Sequence, residues 1–480
     1  MTPFFAIVKL TCRSAVRSHV FRFLLFLLLV CVILVPNTLK GDGTARGYLQ
    51  VMLEYSTAFV AAILSTSIIW LACKEFCTDA ENGQLHMIVV KPVSRITVWA
   101  GKFAGVFLIH FVLLAISFVF IYAFLMLQYN RQKFTPEERA RMENEVFVGR
   151  RAFTPYIGDL EKKVNEELAR RIETAKKLGE ALPDMNGAAR RKFIQSIRME
   201  LLAKMGEVPP GKSQVWYYTG LPERYDAPVY VGYRIYSGDI GSKNQQIGQG
   251  LWFFRYVQRI VDENIKDKNG NPVVKETREI PLQKPPEQIL TSSYREFSVP
   301  GDILIYNGTA SLGFMNLQSK SSEVMHFQVT ESPRLLLKET SFLNNYIRAM
   351  LGIAMGIFAL GLIASSFSAF LSMPTAVVLT LSYMLTGLFS SYLIVSIEST
   401  GGDNLEFMDR LGSLLAKIMV SLLIPVQDFF VSGHLSTGTL IEFSYLGNLL
   451  IFNIILKGLP LCLLGIWLYW RRELALSMKQ

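Results

Sequence analysis

Six stretches of this chain, roughly 18 to 36, 52 to 73, 99 to 127, 344 to 370, 374 to 397 and 446 to 470, are apolar over the length a helix needs to cross a bilayer. At 1.5 Å rise per residue about 20 residues span a hydrocarbon core near 30 Å, and lipid offers no partner to the N–H and C=O groups of irregular backbone. The fold class follows: an α-helical membrane protein with six transmembrane helices. Hydrophobic residues make up 51% of the chain against 18% charged, and the charge is concentrated between about 128 and 340, so the spans flank a water-soluble insert.

The first stretch reads as a retained span. Arg13, Arg17 and Arg22 precede its apolar run as in a signal peptide, but Pro36-Asn37-Thr38-Leu39-Lys40 offers no small-residue cleavage site. Ahead of it, Phe4 to Val20 mixes apolar residues with Lys9, Arg13 and Arg17, which fits either an interfacial amphipathic helix or a basic tail. Orientation comes from the cations near span ends. Lys9, Arg13 and Arg17, then Lys74, Lys91, Arg95 and Lys102, then Arg471, Arg472 and Lys479 share one side when there are six spans. That side is cytoplasmic by the positive-inside rule, which sends the insert out. Leu411 to Val431 is a further apolar stretch, interrupted by Pro425, Gln427 and Asp428. A full span there would carry Arg471 and Arg472 outside, so re-entrant or surface helices over about 411 to 432, satisfied by neighbouring protein, fit better.

The organisation is then an N-terminal membrane half (1–130), an extracytoplasmic α+β domain (131–340) and a C-terminal membrane half (341–480). Within the insert, 131–206 is rich in Glu, Lys, Arg and Ala with apolar residues at helical intervals (Leu160, Val164, Leu168, Ile172) and a turn cluster at Pro183 to Gly187. This predicts a helical hairpin. From 213 to 336 the texture becomes strand-like, in runs such as VWYY, PVYVGYRIY, WFFRYVQRIV and SLGFMNL, with Lys268-Asn269-Gly270-Asn271 placed as a hairpin turn. A β-sandwich or jelly-roll of about seven strands is expected.

Several chemistries are excluded. Gly206 to Ser213 fits the P-loop formula, but it follows a helical run and precedes a strand-like one, the reverse of a working P-loop, and Pro209 and Pro210 remove two N–H donors. The five cysteines fall in or beside apolar spans and imply no disulfide framework; the five histidines are scattered singly, so no metal site is expected. No catalytic nucleophile pattern is present. The net charge of +10 resides at span ends or alternates with acids, which suits membrane orientation rather than nucleic acid. Asp and Glu are nearly absent inside the spans, Glu54 near an end being the exception, so no proton relay is expected.

The segment from Glu81 to Gly105, ENGQLHMIVVKPVSRITVWAGKFAG, joins the second and third spans. Glu81, Gly83, Leu85, Pro92, Val93, Ser94, Arg95, Gly101 and Lys102 resemble the cytoplasmic loop of type-2 ABC transporter permeases, in particular the multi-copper-enzyme-maturation group, with Gln84 where Thr is usual. Ser341 to Leu381 is similar to a span pair in the second half of those permeases. The resemblance implies a permease subunit, most simply of an exporter, whose loop at about 75–97 docks on a separate cytoplasmic ATPase. The ATP and Mg then belong to that partner and no cofactor to this chain. It also implies a second permease copy or paralogue, location in the bacterial cytoplasmic (inner) membrane, and an outer domain able to meet a periplasmic partner. The coupling loop would use Glu75, Asp79, Glu81, Gly83, Leu85, Lys91, Pro92, Ser94, Arg95 and Lys102, with Phe76, Leu85 and Met87 as apolar anchors. A solvated loop that merely obeys the positive-inside rule is the plain alternative. Gly101 with Gly105, and Gly352 with Gly356, space small residues for close helix packing, within the chain or at a dimer seam. Two functions stand at this point: export through a pair of permeases, or a non-transporting relay of ATP-driven motion to the outer domain.

Overall fold

The computed structural model describes residues 3–38, 44–81, 93–131, 134–179, 187–237, 247–266, 272–284, 287–290, 294–318, 324–390, 392–393 and 407–471. The chain forms two compact units: Met1–Gly149 with Thr340–Thr400 and Leu405–Gln480, and Arg150–Glu339 with Gly401–Asn404. The first holds the apolar helices and the second an inserted β-sheet region.

In the membrane unit the helices are α1 (Pro3–Arg17), α2 (His19–Thr38), α3 (Ala45–Glu81), α4 (Arg95–Arg131) and α5 (Pro136–Glu145), then, beyond the insert. After it come α8 (Phe342–Ser368), α9 (Met373–Leu388) and α10 (Phe407–Leu422), and finally α11 (Phe443–Arg471), leaving α6 and α7 to the insert. Among the described residues five helices are long and apolar enough to cross a membrane, or six if the bent pair of α1 and α2 is one span. That pair turns through 68°. Ser18 makes the corner by accepting the Phe21 N–H on its hydroxyl at 3.1 Å. Phe4 to Val20 is therefore helical over most of its length rather than a basic tail. Leu64 and Ile68 of α3, Val106 and Leu114 of α4, and Ile353, Ile357 and Leu360 of α8 meet in the centre of the bundle.

The span expected at 374–397 is described only in part: α9 rises about 24 Å over its 16 residues, residues 390 and 392–393 are also helical, and 391 and 394–406 lie outside the described residues. The stretch at about 411–432, expected to form re-entrant or surface helices, falls in Leu414–Ser436, which is long and apolar enough to cross but is not one helix. After α10 the chain is non-helical at Leu423–Pro425, passes through a 3-10 turn at Val426–Phe429, and resumes as a short helix at Ser432–Ser436. Pro425 causes the break, because it has no N–H and its ring pushes Ile424 away from helical angles. The freed backbone finds partners inside the bundle: the Tyr383 hydroxyl donates to the Leu422 carbonyl at 3.1 Å and accepts the Ile424 N–H at 2.8 Å.

The insert begins with β1 (Val148–Phe153), α6 (Leu160–Leu178) and α7 (Gly187–Gly206). Asp159 caps α6 by accepting the Lys162 N–H at 3.0 Å, and Gly179 ends it at a left-handed φ of 66°. Val164, Leu168 and Ile197 form the seam of this helical hairpin. The Pro183 turn cluster lies outside the described residues. Ten further strands follow: β2 (Glu207–Val208), β3 (Ser213–Tyr218), β4 (Pro228–Ser237), β5 (Ile247–Lys266), β6 (Pro272–Gln283), β7 (Glu287–Leu290), β8 (Tyr294–Pro300), β9 (Ala310–Asn316), β10 (Met325–Phe327) and β11 (Arg334–Ser341). One sheet runs β1-β11-β4-β10-β2, with β8 on β4; the other runs β3-β9-β5-β6, with β7 on β5. Rings join the two sheets, with Tyr233 against Trp252 at 5.0 Å and Phe314 against Phe327 at 5.2 Å. The strands β5 and β6 pair as a hairpin down to Lys266 opposite Pro272; the Asn269-Gly270 turn falls outside the described residues.

The P-loop look-alike joins β2 to β3. Its Gly211 N–H donates to the Asn316 carbonyl at 2.8 Å, and its Lys212 carbonyl accepts from the Asn316 N–H at 3.0 Å. Those groups are committed to a sheet turn, and no helix opens after them to receive phosphate.

Candidate functional site

The loop singled out in the sequence is carried by the end of α3 and the start of α4. Ser94 caps α4, its hydroxyl accepting the Thr97 N–H at 3.1 Å. Glu75, Asp79 and Glu81 lie on the last turns of α3, and Arg95 and Lys102 on the first turns of α4. Gly83, Leu85, Met87, Lys91 and Pro92 fall outside the described residues, as do the side chains of Asp79 and Glu81.

The base of this loop is tied tightly to the bundle. Lys102 is 2% exposed and donates its ammonium to the Glu75 carbonyl at 2.8 Å, with the Phe76 ring 5.7 Å away. A buried ammonium needs such a partner, and a charge-assisted bond of this kind contributes about 1.5–3 kcal/mol. It fastens the last turns of α3 to α4. Arg95 donates to the Trp470 carbonyl at 2.7 Å, which joins the start of α4 to the end of α11. The Ser14 hydroxyl of α1 reaches the Glu75 carboxylate at 3.4 Å.

Beneath these polar ties runs a ladder of rings. Phe76 lies 5.9 Å from Trp99, Trp99 stacks 5.6 Å from Phe103, and Phe103 meets Phe358 of α8 edge-on at 5.0 Å. Leu362, Cys462 and Tyr469 complete the cluster, so α3, α4, α8 and α11 share one core at the root of the loop. Each ring pair adds roughly 0.5–1.5 kcal/mol beyond its buried area. Phe76, weighed in the sequence as a docking anchor, is 2% exposed and belongs to this core. The arrangement performs no bond chemistry. It packs the helix ends on either side of the loop with α8 and α11 in one cluster.

The glycine pairs pack within the chain. A Cβ on Gly101 would sit 2.9 Å from Ile7 Cγ2, and one on Gly105 would sit 2.8 Å from Thr11 Cβ, so this pair seats α1 against α4. Gly352 faces Val431, and a Cβ on Gly356 would lie 2.8 Å from Phe429 Cβ, so the second pair admits the non-helical chain after Pro425. Sequence reasoning passed over Trp99, Phe103, Tyr469 and the Trp470 carbonyl. The i, i+4 spacing of Trp99 and Phe103 was a usable signal, and the backbone carbonyl left none.

Residues 16–148 match the family described as ABC-2 family transporter protein. The matched region runs from the corner before α2 through α3, the loop and α4, and contains Phe76, Trp99, Phe103 and Lys102 of the loop base but not its α8 and α11 residues. No curated protein and no solved structure matches the chain. Over residues 16–148, a little over a quarter of its length, the chain is thus similar to ABC-2 family transporter proteins, and its apolar helices make it a multi-pass membrane protein.

Proposed function

We propose that this chain is a permease subunit and that its loop over about 75–97 is the coupling element, docking on a cytoplasmic ATPase subunit and passing its closure to the bundle. The observation that carries this is the loop's anchorage: Lys102 on the Glu75 carbonyl and Arg95 on the Trp470 carbonyl bind both loop ends to the same four-helix core. A loop that served only orientation would need cations at the boundary, with no reason for a buried lysine or a ring ladder beneath it. Within the family, Pro92-Val93-Ser94-Arg95 and Gly101-Lys102 favour the multi-copper-enzyme-maturation type. A path through the membrane requires two bundles, so the working unit pairs this chain with a second copy or a paralogue. The positive-inside rule favours the loop on the cytoplasmic side and the 131–340 domain outside, an orientation that suits an exporter of the bacterial inner membrane.

The test is ATPase stimulation in bilayers containing the chain and its ATPase. Substituting Glu81→Ala and Leu85→Ala together should abolish stimulation while leaving the thermal unfolding of the chain unchanged. Stimulation that persists in this variant would rule out docking at the loop.

A further inference from the structure

The last span carries a second irregularity, and it lies against the break at Pro425. Between Leu449 and Gly458, α11 winds as a π-helix, closing i→i+5 hydrogen bonds in place of i→i+4. Burial follows that winding. Leu449, Asn453, Ile454 and Gly458 are buried, whereas Leu450, Ile451, Phe452, Ile455 and Leu456 are exposed. A helix of 3.6 residues per turn would place Phe452 and Leu456 on the same face as Leu449. Here they are 55% and 64% exposed. Most π-helix in proteins is a single-turn bulge, so a ten-residue run needs something to hold it.

Two side chains bracket the run. The Tyr445 hydroxyl donates to the Asp428 carbonyl at 2.7 Å, and the Lys457 ammonium donates to the Leu423 carbonyl at 2.9 Å. Both acceptors belong to the stretch between α10 and the short helix at Ser432. The Leu423 carbonyl is free to accept because the Pro425 break ends α10 just before it, and at this depth a free carbonyl is costly. Rewinding the run from π to α turns one anchor relative to the other by about 100° for each residue of register gained. The two ties and the α winding are therefore mutually exclusive.

We propose that Leu449–Gly458 is a register switch in the last span, and that Lys457 is the positioning residue that latches it in the π state by holding the Leu423 carbonyl. Release of the latch lets the run relax to α-helix and carries Phe452 and Leu456 inward. Its use in a transport cycle rests on the permease reading; the two windings do not. Loss of one charge-assisted bond shifts the balance between them by about 10- to 100-fold.

Nitroxide labels placed singly at positions 450, 451, 452, 455 and 456 of the full chain in bilayers read the winding from their collision rate with oxygen. In the otherwise native chain all five labels should be accessible. With Lys457→Met, labels at 452 and 456 should lose accessibility several-fold, and Lys457→Arg, which keeps a cationic donor, should restore the native pattern. Tyr445→Phe removes the other tie and should give the same inward shift, which keeps the idea testable if Lys457→Met does not fold. Labels at 452 and 456 that are already protected in the native chain, or scans of both variants that superimpose on the native one, would overturn the switch. The scan needs no ATPase, so its failure leaves the permease reading standing, and that reading fails separately in the stimulation assay.

Discussion

Replacing Arg150 by Met removes one half of a buried ion pair in the inserted unit. Arg150 of β1 and Glu296 of β8 meet as a fork, Nη1 to Oε2 at 2.7 Å and Nη2 to Oε1 at 3.2 Å, with side chains 1% and 2% exposed. The Tyr294 hydroxyl donates to the same carboxylate at 2.9 Å, and Arg334 of β11 donates to that hydroxyl at 3.3 Å. Removing the guanidinium leaves Glu296 buried without the charge that pairs with it through both oxygens, at a cost of about 3–5 kcal/mol. For a unit of this size each kcal/mol lowers the midpoint by about 2–4 °C, so a fall of about 10 °C is expected. The assay is thermal unfolding of the full chain labelled with 5-fluorotryptophan, following the ¹⁹F signals of Trp216 and Trp252, which lie in the sandwich core. Glu296→Gln should be costly in the same way. The double variant Arg150→Met/Glu296→Gln should be less damaged than the sum of the singles by at least about 1.5 kcal/mol, because neither charge is then left alone. A single variant that moves the midpoint by under about 3 °C, or a double that is simply additive, would refute the account.

Tyr294 supplies a pH prediction. Burial first, then the Glu296 carboxylate, pushes its phenol up to about 12. The neutral form is favoured in the fold, so its contribution is complete below pH 10 and is lost as pH rises from 10 towards 12. Tyr294→Phe should flatten the alkaline fall of the insert's stability by on the order of 2–3 kcal/mol in denaturant titrations. At the acid end, Lys204 and then Arg171 hold Glu200 down to about 2. The Glu200 carboxyl resonance should therefore titrate near pH 2 rather than 4.5, and the pairs that join α6 to α7 should survive until pH falls below the ordinary carboxylate range. Gly105→Leu forces a side chain into Thr11 and the Val8 carbonyl, and should release α1 at a cost of about 1–3 kcal/mol, read as faster proteolysis before Ser18. Gly412→Ala, with open space around it, should have no such effect.

How much of this was legible in the sequence depended on whether the signal was periodic. Long apolar runs announced α3, α4, α8 and α11 because a bilayer imposes a minimum length, and Leu160, Val164, Leu168 and Ile172 announced α6 because its seam repeats every third or fourth residue. β3 and β9 were visible as short aromatic and apolar runs, VWYY and SLGFMNL, set between turn residues. β1 was not: VGRRAF reads as a polar loop until Glu296, almost 150 residues later, neutralises Arg150. β2 and β7 are too short to show a period. At the loop, the sequence marked the cations and the glycines but gave no sign that Lys102 points inward to a backbone carbonyl. Backbone acceptors carry no residue identity, so Glu75 and Trp470 could not be recognised as partners.

The same blindness hides the division of labour within the membrane unit. Force arriving at a loop is transmitted only if the helix ends that bear it do not shear, and the Lys102 tie with the Phe76–Trp99–Phe103 ladder supplies that stiffness. A bundle stiff throughout would transmit nothing, because its parts could not change their relation to one another. Yielding must occur elsewhere, and the described bundle has two irregular stretches that lie against each other: the chain freed by Pro425 and the π winding opposite it. Gly352, Gly356 and Gly387 clear space along the first, while Tyr383, Tyr445 and Lys457 bond its exposed backbone. Each of those bonds has a backbone partner, so breaking it strands no specific side chain on the other element. A ring-packed loop base and a seam of glycines and backbone acceptors are what the proposed coupling would require of this bundle.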